Sequence, residues 1–182
     1  MKKAVVCLAN GFEEMEAIGI IDILRRAEIF VTIISITGVR EVQGAHDIGV
    51  MADELFENVE LSGYDMIVLP GGMPGSQNLK DHSGLRGIIT DFNTKGKLLG
   101  AICAAPMVLG DLGILENKDA TCYPGFSPYL KGAHMQTDRV VEDHNIITGI
   151  GPGAVFDFAL KLVEKLVGQE KASLVAGQML YK

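Results

Sequence analysis

Cys103 has the sequence surroundings of a cysteine nucleophile. A short apolar run precedes it, and the small residues Ala101 and Ala105 lie two positions to either side, which is the spacing of the sharp strand-to-helix turn that carries many catalytic nucleophiles. Pro106 predicts the first turn of a helix. Because backbone N–H groups at a helix N-terminus stabilise a thiolate, we expect an exposed and reactive sulfur here. The alternative is a small buried cysteine inside a strand.

Glu16 is a candidate group for proton transfer. Apolar residues follow it at helical spacings of four, seven and eleven positions, so its carboxyl group is expected on the buried face of a helix. Burial disfavours the charged form and raises the pKa of a carboxyl group. A protonated Glu16 could donate a hydrogen bond to a thiolate or carry a proton to a substrate. The alternative is an acid facing solvent, as expected for Glu13 and Glu14.

The elements that would position these residues alternate between strands and helices, which predicts an α/β fold with a mostly parallel sheet. Strands are predicted at residues 3–9, 30–36, 64–69, 120–123, 139–142 and 145–148, and over the apolar run from Lys97 that ends in the turn carrying Cys103. Helices are predicted at residues 13–27, 76–95, 106–113 and 151–167. Residues 38–52 are predicted to form a hairpin outside the main sheet. We expect a single domain over residues 1–182.

The carboxyl ends of the predicted strands are the expected ligand edge of such a sheet. Three turns should meet there: the turn before the first helix, the glycine-rich turn at Gly71 and Gly72, and the turn at Cys103. Glycines in the second turn allow backbone N–H groups to approach a ligand closely.

Composition excludes several classes of protein. With 182 residues, 48% of them apolar and 21% charged, the chain is long enough to bury a sizeable core. A net charge of -7 without a basic run argues against nucleic acid or an anionic membrane surface as partner. No apolar run approaches the roughly 20 residues of a membrane-spanning helix.

Cysteine usage indicates a reducing compartment, so we expect a cytoplasmic protein. The three cysteines, Cys7, Cys103 and Cys122, form neither an even disulfide set nor a CxxC metal pair. Cys7 is predicted to pack in the core. Cys122 is either structural or able to form a disulfide with Cys103 under oxidation.

Four motifs, in this order, resemble the ThiJ/PfpI superfamily, and more narrowly its parkinsonism-associated protein deglycase branch. They are Gly11-x-Glu13-Glu14-x-Glu16, Leu69-Pro70-Gly71-Gly72, Ala101-Ile102-Cys103-Ala104 and Gly151-Pro152-Gly153. The resemblance covers essentially the whole chain.

The resemblance implies a flavodoxin-like three-layer sandwich, with helices on both faces of the sheet, that forms homodimers. It implies that Cys103 is the nucleophile, that Glu16 is its buried partner, and that the N–H groups of Gly72 and Ala104 bind an oxyanion. The family is associated with conversion of methylglyoxal or glyoxal to hydroxy acids without a cofactor, and with repair of glycated amines and thiols. Redox sensing through cysteine oxidation and chaperone activity are the alternatives.

The chain departs from the family pattern at several positions. Tyr123 stands where many relatives have a histidine beside the pocket, and a phenol is a poor base at neutral pH. Ala104 stands where peptidase-like members have a histidine, and the loss of this Cys–His pair argues against peptidase activity. The amidotransferase His-x-Glu motif is missing, because Ile146 follows His144 and Asn145.

The histidines point to no metal site, since none has metal-ligand spacing. His46 aligns with a family arginine that reaches the pocket of the partner subunit, so it is either a pocket residue or a surface residue of the hairpin. His82, His134 and His144 are predicted to be solvated. We therefore expect no cofactor, and a small carbonyl compound as substrate.

Overall fold

The centre of the fold is a seven-stranded sheet, seen in a computed structural model that describes residues 1–181. The strands are β1 Lys3–Leu8, β2 Phe30–Ser35, β3 Glu41–Gln43, β4 Gly49–Met51, β5 Glu54–Leu55, β6 Met66–Leu69, β7 Leu98–Ile102, β8 Asp119–Ala120, β9 His134–Met135, β10 Val140–Asp143 and β11 Ile146–Gly149. The sheet has the order β10-β11-β7-β6-β1-β2-β5. Its neighbours are parallel except β10 and β11. The predicted mostly parallel α/β fold is confirmed.

Helices cover both faces of this sheet. They are α1 Glu14–Arg26, α2 Gly75–Asp81, α3 Ser83–Thr94, α4 Pro106–Asp111, α5 Val155–Val167 and α6 Gln169–Gln178. Buried residues of α1, α5 and α6 form one apolar cluster with Val6 and Leu8 of β1. Those of α2, α3 and α4 form a second cluster with Val5 and Cys7. Because successive side chains of a strand point to opposite faces, the clusters lie on the two faces, which makes three layers.

Burial on both faces explains why the central strands could be recognised in the sequence. Every residue of β6 is buried, as are five of the six residues of β1. Strands covered on both sides are near-continuous apolar runs. None of the helices within residues 1–181 is long and apolar enough to cross a membrane.

Two predicted elements differ in the structure. The helix predicted at 76–95 is interrupted at His82, whose Nδ1 accepts a hydrogen bond from the Leu85 N–H at 3.1 Å and caps α3. The strand predicted at 120–123 is limited to β8, which pairs with β9 outside the main sheet. Thr121 instead donates its N–H to Thr148 Oγ1 at 3.0 Å, so its backbone bonds to a side chain and not to a strand.

The hairpin predicted at residues 38–52 is confirmed. Strands β3 and β4 form a separate antiparallel pair. The short edge strand β5 and the helix α6 were not predicted.

Candidate active site

Three turns meet at the carboxyl edge of the sheet: backbone hydrogen bonds join the first two, and Gly71 of the second turn lies against Cys103 of the third. After β1, Glu13 donates its N–H to the carbonyl of Gly71 at 2.9 Å, and Gly75 donates to Gly11 at 3.1 Å. After β7, the Cys103 N–H bonds to the Gly149 carbonyl at 2.9 Å. The predicted convergence of these turns is therefore present.

Cys103 occupies a sharp turn between β7 and α4. Its φ of 64° lies in the left-handed region, which a residue with a side chain adopts only at a cost. The Cys103 carbonyl accepts a hydrogen bond from the Tyr123 N–H at 2.8 Å, which holds the turn in place. The prediction of an exposed sulfur is wrong, because Cys103 is only 8% exposed.

Gly71 brings the turn after β6 against both candidate groups. Its N–H donates to Glu16 Oε2 at 2.7 Å. A Cβ at this position would lie 2.6 Å from the Cys103 Cβ and 2.8 Å from Glu16 Oε2. Both distances are shorter than van der Waals contact, so the three residues can approach this closely only with glycine at position 71.

Glu16 is fully buried, as the helical spacing predicted. Burial is the main cause that raises its pKa to about 7, with a further contribution from the charge of Glu13, while the Gly71 N–H opposes the shift. Its second oxygen, Oε1, is buried without a hydrogen-bond partner among residues 1–181, and its carboxyl group interacts with the Cys103 thiol. A carboxyl group that titrates near neutral pH can both accept and donate a proton there.

The Cys103 thiol is favoured over the thiolate in this environment. Burial, followed by the neighbouring Glu16 charge, raises the pKa of the thiol to about 12. The backbone N–H groups of Gly72 and Ala104 lower this pKa but do not outweigh burial. The N–H groups that were expected to favour the thiolate are therefore present but are opposed by burial, and Glu16 is the adjacent group able to take the thiol proton.

Comparison with known proteins places this geometry in a family. The model of the DJ-1/PfpI family matches residues 2–165. The chain belongs to the DJ-1/PfpI family.

Relatives within the DJ-1/PfpI family are similar over the whole chain. Protein DJ-1 homolog B of Arabidopsis thaliana is 39% identical over 183 residues, all of this chain, which spans 42% of that relative's length. The glutathione-independent glyoxalase DJR-1.2 of Caenorhabditis elegans is 33% identical over 174 residues, covering 94% of this chain and 92% of the relative. The structure of oxidized Toxoplasma gondii DJ-1 has a TM-score of 0.96 and 38% identity, covering 100% and 99% of the two chains.

Two acids that this DJ-1/PfpI chain was expected to expose are buried. Glu13 and Glu14 are 8% and 5% exposed. The Glu13 carboxylate caps α1 by accepting the Glu16 N–H at 2.7 Å. Burial acts to raise the pKa of Glu14, but hydrogen bonds from His46 and Ile48 outweigh it and lower this pKa. The prediction of solvent-facing acids is therefore wrong.

The Glu14–His46 contact attaches the hairpin to α1. Glu14 accepts the His46 N–H at 2.5 Å, and His46 Nδ1 lies 2.8 Å from the second Glu14 oxygen. A Cβ at Gly44 would overlap the Glu14 carboxylate, so glycine is needed there. Sequence reasoning missed this contact, because the two segments are 32 residues apart. The His46 side chain is 70% exposed.

The other three histidines, His82, His134 and His144, lie in different parts of the fold. His134 and His144 are exposed beside Asp119 and Asp143. His82 is half-buried as a helix cap against Phe56, so its predicted solvation is wrong.

The two other cysteines belong to a different apolar cluster from Cys103. Cys7 and Cys122 pack in the apolar cluster on the second face, whereas Cys103 belongs to the first. Burial raises the pKa of Cys122 to about 11, and it raises the pKa of Cys7 further. The packing favours a structural role for Cys122 over disulfide formation with Cys103.

A group of metal-ligand type exists within residues 1–181 at Glu13, Glu14 and His46, whose donor atoms lie within 4.8 Å of one another. These side chains are already engaged in the helix cap and in the hairpin contact. The helix cap made by Glu13 and the contact between Glu14 and His46 both form without a bound ion.

Proposed function

We propose that this chain is a cofactor-independent enzyme of the glyoxalase or deglycase type, which converts small α-oxoaldehydes such as methylglyoxal into hydroxy acids. The observation that carries the proposal is the contact of the Cys103 thiol with Glu16, a buried carboxyl group whose pKa is about 7. This pair supplies a nucleophile and a group able to accept and return its proton at neutral pH.

The reaction begins with attack of Cys103 Sγ on the aldehyde carbon. As the C–S bond forms, the Glu16 carboxylate accepts the thiol proton, so no free thiolate has to form before the attack. The aldehyde oxygen becomes the oxyanion of a hemithioacetal. The N–H groups of Gly72 and Ala104, which act on the Cys103 sulfur, are the proposed donors to this oxyanion, and a preorganised donor of this kind contributes about 3 kcal/mol.

The second stage moves hydrogen between the two carbonyl carbons. Glu16 returns a proton to the hemithioacetal oxygen and then, as a carboxylate, removes the proton on the former aldehyde carbon, which forms an enediolate bound to sulfur. Glu16 returns this proton to the neighbouring carbon while the hydroxyl proton of the sulfur-bearing carbon passes to the neighbouring oxygen, which gives a thioester of the hydroxy acid. Water hydrolyses the thioester and restores the thiol. One carbon is oxidised while its neighbour is reduced, so the reaction balances with water alone.

Similarity to the Caenorhabditis elegans glutathione-independent glyoxalase described above supports this reaction class. That protein is named for an activity that does not use glutathione, and a protein-borne cysteine takes the part of the external thiol in the mechanism proposed here.

The test compares conversion of methylglyoxal to lactate by the metal-free native protein with conversion by Cys103→Ser and Glu16→Gln at pH 7. General acid–base and nucleophilic groups contribute factors of about 100 or more, so each variant should lose at least that factor. Cys122→Ser, which changes a cysteine on the other face of the sheet, is the matched control and should keep native activity. Equal rates for the native protein and Cys103→Ser would contradict the proposal.

A redox-sensing role is the second candidate. Glu16 Oε1 is buried without a hydrogen-bond partner among residues 1–181, and a protonated carboxyl group could donate there to an oxidised sulfur. Two equivalents of peroxide would convert the thiol to a sulfinate. Peroxide titration with mass analysis should then add two oxygen atoms at Cys103 in the native protein. Loss of this selectivity in Glu16→Gln would support the role, and equal oxidation of Cys122 would oppose it.

We also propose that the chain forms a homodimer through an apolar patch formed by α1 and α5. Met15, Ile18 and Phe156 are apolar but 63%, 47% and 43% exposed, and all three line one surface hollow. Burying such a patch is favourable. Analytical ultracentrifugation should find a dimer that Ile18→Asp dissociates and that the control Leu174→Asp, an exposed leucine of α6, leaves intact.

A further inference from the structure

The backbone of Tyr123 is fixed beside the nucleophile. Its N–H donates to the Cys103 carbonyl at 2.8 Å, and its own carbonyl accepts the Phe126 N–H at 3.1 Å. Pro124 follows it, and Gly125 has a φ of 94°, as in a type II turn with proline and glycine at the central positions. The segment therefore holds Tyr123 rigidly at the rim of the site.

The side chain of Tyr123 rests on a glycine of a neighbouring loop. A Cβ at Gly151 would lie 3.1 Å from ring atom Cδ2 and 3.7 Å from Cε2, so the ring packs against a surface that a larger residue would occupy. The residue is 46% exposed. The ring thus offers an apolar, fixed surface next to Cys103.

The strand order places this ring opposite the polar groups of the site. Cys103 follows β7, which lies between β6 and β11 in the sheet. Gly71 and Gly72 follow β6 on one side, together with Glu16. Gly151, with the Tyr123 ring on it, follows β11 on the other side. A substrate carbon bound to Cys103 therefore has oxygen-binding groups on one side and an aromatic ring on the other.

We propose that Tyr123 determines specificity by packing against the substituent of the α-oxoaldehyde, and that it selects aryl-substituted substrates over glyoxal. This inference rests on the proposed function. A planar aryl group can stack on or pack edgewise against the ring, whereas the hydrogen substituent of glyoxal leaves the ring without a partner. The phenol hydroxyl is not required, since the ring supplies the contact.

The first measurement is the ratio of kcat/KM for phenylglyoxal to kcat/KM for glyoxal. Loss of an apolar contact in a binding pocket changes discrimination by about 10-fold to 200-fold, so Tyr123→Ala should lower the ratio by about tenfold or more. Tyr123→Phe should keep the ratio within about twofold of the native value, because the ring remains. Tyr129→Ala, which removes a tyrosine of similar exposure whose ring lies beside Phe126 and not on Gly151, is the matched control.

The second measurement does not require turnover. Phenacyl bromide and bromoacetone both alkylate a thiol with loss of bromide and differ only in an aryl or a methyl substituent. The rates of modification at Cys103, followed by peptide mass analysis and normalised to a free thiol, give the preference of the site. A preference for the aryl reagent that falls in Tyr123→Ala supports the inference, even if the native protein converts no oxoaldehyde and the proposed function fails. Equal ratios in native protein and Tyr123→Ala, in either measurement, would overturn it.

Discussion

Replacing Glu16 by glutamine is expected to change the pH dependence of stability in a direction set by burial. The pKa of Glu16 is raised from its ordinary 4.5 to about 7. A tenfold change in proton affinity corresponds to about 1.4 kcal/mol, so ionising this carboxyl group costs the folded state about 3 kcal/mol. Below pH 4.5 the group is protonated in both states. Between pH 4.5 and about 7 the unfolded chain has released the proton while the folded protein still holds it, so the free energy of unfolding falls as the pH rises. The fall is complete once Glu16 has also ionised in the folded protein, above about pH 7.

Glutamine keeps an oxygen that can accept the Gly71 N–H, but it cannot ionise. The free energy of unfolding of the native protein minus that of Glu16→Gln should therefore fall by about 3 kcal/mol between pH 4.5 and about pH 8. Urea unfolding at a fixed protein concentration measures both values at each pH. Glu28→Gln is the control of opposite sign, because the hydrogen bond from Lys171 lowers the pKa of Glu28. The reasoning would be refuted if the difference in free energy of unfolding between the native protein and Glu16→Gln stayed constant or rose with pH.

Two further substitutions test the packing around the site. Gly71→Ala would place a methyl group 2.6 Å from the Cys103 Cβ. We therefore expect urea unfolding to show a free energy of unfolding lower by about 1–3 kcal/mol, together with loss of activity. The control Gly87→Ala, in helix α3 with open space around it, should raise the free energy of unfolding by up to about 1 kcal/mol. Phe158→Ala removes a fully buried ring of α5 and should cost about 3–5 kcal/mol; a loss below about 1 kcal/mol would contradict the described core.

The sequence was sufficient for the parts of the fold that leave a local pattern. Strands β1, β6 and β7 are buried on both faces, so each is a continuous apolar run. The turn at Cys103 was recognisable from its small neighbours and Pro106, and the burial of Glu16 from the helical spacing of apolar residues after it.

The environment of these residues was not predictable in the same way. Cys103 is buried because Gly71 and the Tyr123 backbone close over it, and both come from distant parts of the chain. Glu14 is buried by a hairpin 32 residues away. The two-residue strand β5 is too short to show a period. Each of these features depends on tertiary contacts, which a single sequence does not display.

The left-handed backbone of Cys103 has a consequence for engineering this protein. A residue with a side chain in that region is disfavoured by about 1–2 kcal/mol relative to a right-handed conformation, and glycine is free of this cost. The backbone at position 103 therefore favours glycine over the residue that carries the chemistry. A library screened for thermal tolerance alone would tend to discard the sulfur, so stabilised variants are best sought with position 103 held constant.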